Sequence, residues 1–174
     1  MRKLFLVLLA VAAIVAGMLA QRWLNATPQA VAEFSVEFPD TEGKIHHLEE
    51  WKGKILIVNF WATWCPPCLE EMPEFVKLQT ELGGNGLQFI GVAIDDTKSV
   101  KDFLASTPVN YPILIGENGG AAWASLLGNR MNILPFSAVI DRNGKLVHAQ
   151  AGPFSRDDVL RTIGSLQKAN VPGP

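Results

Sequence analysis

The chain has 174 residues, 48% of them hydrophobic, and a formal net charge of −2, which suits one sizeable core and not two. The near-balanced charge, with no long basic run, argues against nucleic acid as a partner. Two cysteines are too few for a disulfide scaffold or a four-thiolate zinc site, and no His-x-x-x-His pair completes one, so neither metal nor cofactor is expected.

Residues 1–3 carry positive charge and are followed by an apolar run over 4–20, broken only by Gly17. The run approaches the roughly 20 residues that cross a bilayer. Charge before it and Trp23 after it orient the N-terminus to the cytoplasm, although Arg22 weakens the asymmetry. A cleaved signal peptide needs small residues at both −3 and −1 of the cut. Met18 with Ala20, or Leu24 with Ala26, is a poor pair, so an uncleaved single-pass anchor is preferred to a soluble product of cleavage. Either way the rest of the chain crosses into a compartment where disulfides persist.

Residues 21–32 lack an apolar period and read as a tether, and the folded domain is expected over 33–168. Period-two alternation over 34–38 and again over 44–48, around a turn at 39–43, predicts a pair of short edge strands. His46 and His47 are adjacent and would point to opposite faces. Residues 54–60 form a near-continuous apolar strand, the pattern of a central strand covered on both faces. Residues 66–82 are helical, with Leu69, Met72, Val76 and Leu78 or Gln79 expected inward and Glu70, Glu74, Lys77 and Glu81 outward. Pro73 within that helix predicts a kink.

A second apolar strand over 87–94 returns parallel to the first. Asp95-Asp96-Thr97 caps a helix over 98–106, and Pro112 sends the short strand over 111–115 to an edge. A helix over 121–127 ends at Gly128. Strands over 136–140 and 145–149 flank an Asn-Gly turn. Ser155 caps a last helix with Val159, Leu160, Ile163 and Leu166 inward, and residues 169–174 form a loose tail.

Chemistry is concentrated where the first strand meets the first helix. Trp61-Ala62-Thr63-Trp64-Cys65-Pro66-Pro67-Cys68 holds both cysteines. A sulfur at the first turn of a helix meets the positive end of its dipole, which favours the thiolate. Cys65 is the expected nucleophile, and Cys68, one turn on, can close a disulfide with it and release a bound partner. A peroxidase motif Pro-x-x-x-Thr-x-x-Cys is missing, since Val58 and Ala62 stand at its first two marked positions.

The order βαβ then ββα, with this stretch opening the first helix, resembles a thioredoxin fold: an α/β protein with a mixed sheet flanked by helices. The extra N-terminal strands, the insertion over 95–128 and the membrane segment resemble the TlpA-like and ResA-like branch, membrane-tethered thiol-disulfide oxidoreductases of bacteria. The resemblance implies a bacterial inner-membrane protein whose catalytic domain faces the periplasm. It also implies a cis Pro135 facing the disulfide, with Trp64, Pro66, Leu134 and Pro135 contacting substrate. Asn59 stands where many thioredoxins bury an acid. Glu71 matches a ResA-like active-site glutamate and is the candidate base for Cys68, with Glu70 its rival. The implied activity is reduction of selected protein disulfides, such as apocytochrome c thiols or metal-site cysteines, with electrons from a membrane-embedded dithiol donor. Two alternatives remain open: a disulfide oxidant of the same fold, and a copper chaperone using the two sulfurs with His46, His47 or His148.

Overall fold

The structure, a computed structural model, describes residues 36–169 and Gly17. The expected anchor over 4–20, Gly17 apart, the tether over 21–32, the domain's first residues up to 35 and the tail from 170 lie outside the described residues. Among the described residues no helix is long and apolar enough to cross a membrane.

A two-stranded antiparallel ribbon, β1 (Glu37–Pro39) with β2 (Ile45–His47), precedes the main sheet. The sheet is five-stranded among the described residues. Its strands are β3 (Ile55–Trp61), β4 (Leu87–Ala93), β5 (Ile113–Ile115), β6 (Phe136–Ile140) and β7 (Leu146–Ala151). Their order is β5-β4-β3-β6-β7. Strands β3, β4 and β5 run parallel, while β6 is antiparallel to β3 and β7 to β6. All seven residues of β3 are buried, as an apolar run with neighbours on both edges and both faces requires.

Helix α1 (Pro66–Leu82) links β3 to β4. Cys65 is its N-cap, in extended conformation, and Pro66 and Pro67 fill its first two positions. Prolines are tolerated there because the first N–H groups have no partner within the helix. The helix continues through Pro73 to Leu82, with that ring on the exposed side. Gly86 then turns the chain into β4 with a φ of 87°, a left-handed value that glycine adopts without a Cβ clash.

Helix α2 (Thr97–Ser106) is capped by Asp96, whose carboxylate accepts from the Ser99 N–H at 3.0 Å. Helix α3 (Gly120–Leu126) follows β5, and α4 (Arg156–Ala169) closes the chain.

Two apolar clusters sandwich the sheet. One joins Ile57, Trp61, Phe75 and Phe89 with both cysteines; the other joins Leu56, Phe60, Ile90 and Trp123. Phe75 of α1 stacks on Phe89 of β4 at 4.9 Å between ring centroids. Each such ring contributes roughly 1.5–3 kcal/mol through burial.

The buried side of α1 differs from the periodicity reading. Cys68, Glu71, Met72, Phe75 and Leu78 face inward, whereas Leu69 and Val76 are only partly buried. Met72, Leu78 and Glu71 lie inward as their spacing implies, while Cys68 and Phe75 take the places expected for Leu69 and Val76. Leu160 is likewise exposed instead of inward, while Val159 and Ile163 are buried.

Candidate active site

Cys65 and Cys68 form a disulfide with Cα atoms 5.3 Å apart. Cys65 is 5% exposed and Cys68 fully buried, so any partner sulfur must approach Cys65. The Cys65 carbonyl accepts from the N–H groups of Cys68 at 3.0 Å and Leu69 at 3.3 Å. With Pro66 and Pro67 lacking N–H groups, these first helical donors are directed at a backbone oxygen.

The loop before Cys65 is pinned by a residue just beyond β4. Asp95 Oδ2 accepts from the Thr63 N–H at 3.0 Å and from the Thr63 hydroxyl at 2.5 Å. Asp95 therefore holds the cysteine loop, and only Asp96 caps α2. The sequence reading had assigned both aspartates to the cap. Their position at the C-terminal end of a parallel strand, where such sheets place their sites, was the available signal.

Trp61 is fully buried against Phe103, while Trp64 is 66% exposed. Pro66 is exposed at the start of α1. Trp51 and Trp123 are core residues. The Leu134-Pro135 bond is cis. Register locates this segment: Phe60 pairs with Phe136, so residues 134–135 enter the sheet at the end where residues 62–65 leave it. Leu134 packs against the cluster that contains both cysteines.

Glu71 lies on the buried side of α1, one turn beyond Cys68, and is 8% exposed; Glu70 is exposed on the other side. Glu71 Oε1 accepts from Asn59 Nδ2 at 2.7 Å, and Oε2 from the Phe154 N–H at 2.8 Å. Asn59 Nδ2 also donates to Ser137 Oγ at 3.1 Å. Asn59 and Ser137 are cross-strand partners, so this polar row is built from β3 and β6 beneath the helix. Ser137 and the Phe154 backbone carried no sequence signal. Burial raises the Glu71 pKa to about 7, against the opposing pull of the Phe154 and Asn59 bonds. A groove of about 240 Å³ lined by Pro67, Glu70, Glu71, Phe154 and Arg156 leads from this carboxylate to solvent.

His46 and His47 lie on β2, and His148 on β7 reaches the edge of this centre through Phe154. His46 sits between Asp40 at 3.1 Å and Glu50 at 3.0 Å, His47 lies 3.5 Å from Glu37, and His148 stacks on Phe154. Among the described residues no three His, Cys, Asp or Glu side chains are grouped to hold a metal ion.

A disulfide at a strand-to-helix turn, a cis proline entering the same end of the sheet and a buried glutamate on the helix make up this centre. A family model described as Redoxin matches residues 26–164. This chain belongs to the redoxin family. The redoxin is 30% identical over 170 residues to thiol-disulfide oxidoreductase ResA of Geobacillus thermodenitrificans, covering 96% of this chain and 95% of that protein. Among solved structures it is similar to a thiol:disulfide interchange protein DsbE from Chlorobium tepidum. The TM-score is 0.66 at 26% identity, over 75% of this redoxin and 91% of that chain. It also resembles the exposed lipoprotein thioredoxin of Streptococcus pneumoniae, with a TM-score of 0.64 at 26% identity over 75% and 98% of the two chains. This redoxin is a thiol-disulfide oxidoreductase of the ResA and DsbE type.

Proposed function

We propose that this redoxin is a reductant of selected protein disulfides, apocytochrome c or metal-site cysteines among them. In this reading residues 4–20 hold it to a bacterial inner membrane with the domain in the periplasm. Kinship with ResA supports the reading, as does likeness to a thioredoxin described as an exposed lipoprotein.

In the proposed cycle the Cys65 thiolate attacks a client disulfide. A mixed disulfide forms, and the other client sulfur leaves as a thiolate. Cys68 then gives its proton to Glu71 and attacks Cys65 Sγ, which re-forms the Cys65-Cys68 bond and expels the second client thiolate. Two electrons pass to the client, and a membrane-embedded dithiol donor restores the pair. Glu71 carries this reading. Cys68 is sealed from water, whereas a carboxylate one turn away on the same helix face has a proton affinity poised near neutrality. Its groove offers the proton a way out. Trp64, Pro66, Leu134 and Pro135 surround the approach to Cys65 as substrate contacts.

The loop's poverty of donors supports this direction. Two prolines and two carbonyl-directed N–H groups leave few donors for the thiolate, and a less stabilised thiolate makes the disulfide harder to reduce. The reduction potential of the full chain tests this. A value near thioredoxin's, about −270 mV, is expected, and one near about −120 mV overturns the reductant. Cys68→Ser should accumulate a mixed disulfide at Cys65. Accumulation on Cys65→Ser instead would reverse the nucleophile assignment.

A further inference from the structure

Three polar residues stand abreast across the sheet. Asn59 of β3 pairs with Ser137 of β6, and Ser137 pairs with Gln150 of β7. Directly opposed residues project to the same face, so Gln150 extends to the next strand the row that meets Glu71. The first two members act on Glu71 Oε1 through the Asn59 amide. Gln150 is engaged differently: its Nε2 donates to the Pro153 carbonyl at 2.6 Å.

That bond falls within the short connection from β7 to α4. Near the start of the connection the Gly152 N–H donates to the Pro135 carbonyl at 2.8 Å. Near its end the Phe154 N–H donates to Glu71 Oε2, also at 2.8 Å. Pro153 between them has a fixed φ and no N–H. The Pro153 carbonyl and the Phe154 N–H belong to one planar peptide unit and point in opposite directions. Whatever orients the carbonyl therefore orients the N–H. Gln150 holds one side of this plane, and the other side addresses Glu71. The Phe154 ring is 1% exposed, and His148, two residues before Gln150 on the same side of β7, stacks on it at 5.6 Å.

We propose that Gln150 is a positioning residue for the exchange reaction: by holding the Pro153-Phe154 peptide plane it aims the Phe154 N–H at Glu71 and readies that carboxylate to take the Cys68 proton. The inference rests on the reading of Glu71 as the base. When Cys68 resolves a mixed disulfide, its proton passes to Glu71 and its sulfur bonds to Cys65, while the client sulfur leaves with the electron pair of the broken bond. Only the ionised carboxylate can take that proton. Burial disfavours the ionised form, and the Phe154 and Asn59 bonds favour it. Without a fixed N–H, Glu71 stays protonated to higher pH.

Other groups face Glu71 as well. Cys68 shares its helix face, and Tyr111, ahead of β5, stays protonated because burial and the Glu71 charge both push its phenol up. Glu70, Glu74 and Arg156 line the groove, with Arg156 paired to Glu81 and Glu74. His148, behind the Phe154 ring, is the group whose titration must be told apart from that of Glu71.

The test mixes the fully reduced full-length chain with a symmetric aromatic disulfide, whose two thiols leave in sequence, the first on attack by Cys65 and the second on resolution by Cys68. In the wild type the second rate is expected to rise with pH through an inflection at about 7. Gln150→Met, similar in length but without the donor, should move that inflection up by about one pH unit, the scale of a hydrogen bond to a charged group, with the first phase unchanged. An inflection left in place assigns Gln150 to the fold alone and overturns the proposal. His148→Phe keeps the ring stack and should keep the inflection; its loss there transfers the titration to His148 and overturns the proposal too. Glu71→Gln should abolish the inflection. If it persists in that variant, the reading of Glu71 as base fails, and this proposal with it. Should Gln150→Met not fold, amide resonances of the wild type decide. Those of the Phe154 N–H and the Gln150 side chain are both expected to shift with the Glu71 titration, and an invariant Gln150 resonance overturns the link.

Discussion

Asn59 on β3 donates a 2.7 Å hydrogen bond to Glu71 on α1, so the acid beneath the disulfide comes from the helix while the strand supplies its partner. Where many thioredoxins bury a strand carboxylate, this chain has an amide that cannot titrate. Placing the carboxylate on α1 puts it on the same helical face as Cys68.

The buried carboxylate makes stability depend on pH. Its folded pKa, about 7, lies above the ordinary value of 4.5. The folded state therefore binds a proton between those values that the unfolded state releases. This contribution is fully present below pH 4.5 and is lost as pH rises through 7. It amounts to about 3 kcal/mol at most. Glu71→Gln should flatten the slope: urea midpoints at pH 5 and pH 8 are expected to differ far less in the variant than in wild type. An equal pH dependence in both would remove Glu71 as its source.

Converting Asn59 to Asp would set two buried carboxylates against each other. At the present 2.7 Å separation both cannot be ionised together, and the pair would titrate as a unit with one proton shared. Asn59→Asp is expected to cost about 3–5 kcal/mol at pH 8, as an uncompensated buried charge does, and much less at pH 5. Chemical denaturation at the two pH values reads the difference. A pH-independent loss would mean the damage is steric.

How far these relationships were legible depends on what recorded them. Cys65 and Cys68 announce themselves by spacing and by the apolar strand before them, and the runs over 54–60 and 87–94 mark two parallel strands. Pro135 was located by resemblance to the thioredoxin pattern, since a proline opening a strand would by itself read as an ordinary trans one. Glu71 stands nearer the inner side of α1 by periodicity and is buried there on two hydrogen bonds, whereas Leu69 and Val76, expected inward by hydropathy, are only partly buried. Leu160 was likewise misplaced, an apolar residue standing on a solvent-facing position. Asp95 and Ser137 act on partners brought near by the fold. No periodic pattern encodes such contacts.

Asp95 should matter more to the cysteine loop than its place beside a helix cap suggests. Asp95→Ala removes the acceptor for both Thr63 donors and is expected to cost about 1.5–3 kcal/mol, since bonds to an ionised acceptor are the stronger kind. Thr63→Val removes only the hydroxyl bond and should cost less. Trp64 adjoins this loop, so the fluorescence of Asp95→Ala should also shift. A loss in Thr63→Val as large as in Asp95→Ala would show that the backbone bond contributes nothing.

Gly91 connects the sheet to the same centre by what it lacks. It pairs with Asn59 across β3 and β4, and a Cβ there would lie 2.5 Å from Ile113 Cδ1 and 3.1 Å from Trp61 Nε1. The Ile113 methyl can rotate away. Trp61 has less freedom, because its ring is fully buried against Phe103 at 5.4 Å, and Nε1 has no hydrogen-bond partner among the described residues to guide a new position. Gly91→Ala is therefore expected to destabilise the protein by about 1–3 kcal/mol, as overpacking does. The displaced indole sits four residues before Cys65, so the near-ultraviolet circular dichroism should change with the stability. Wild-type stability in Gly91→Ala would mean that Ile113 alone absorbs the methyl and that Trp61 is not held where the packing implies.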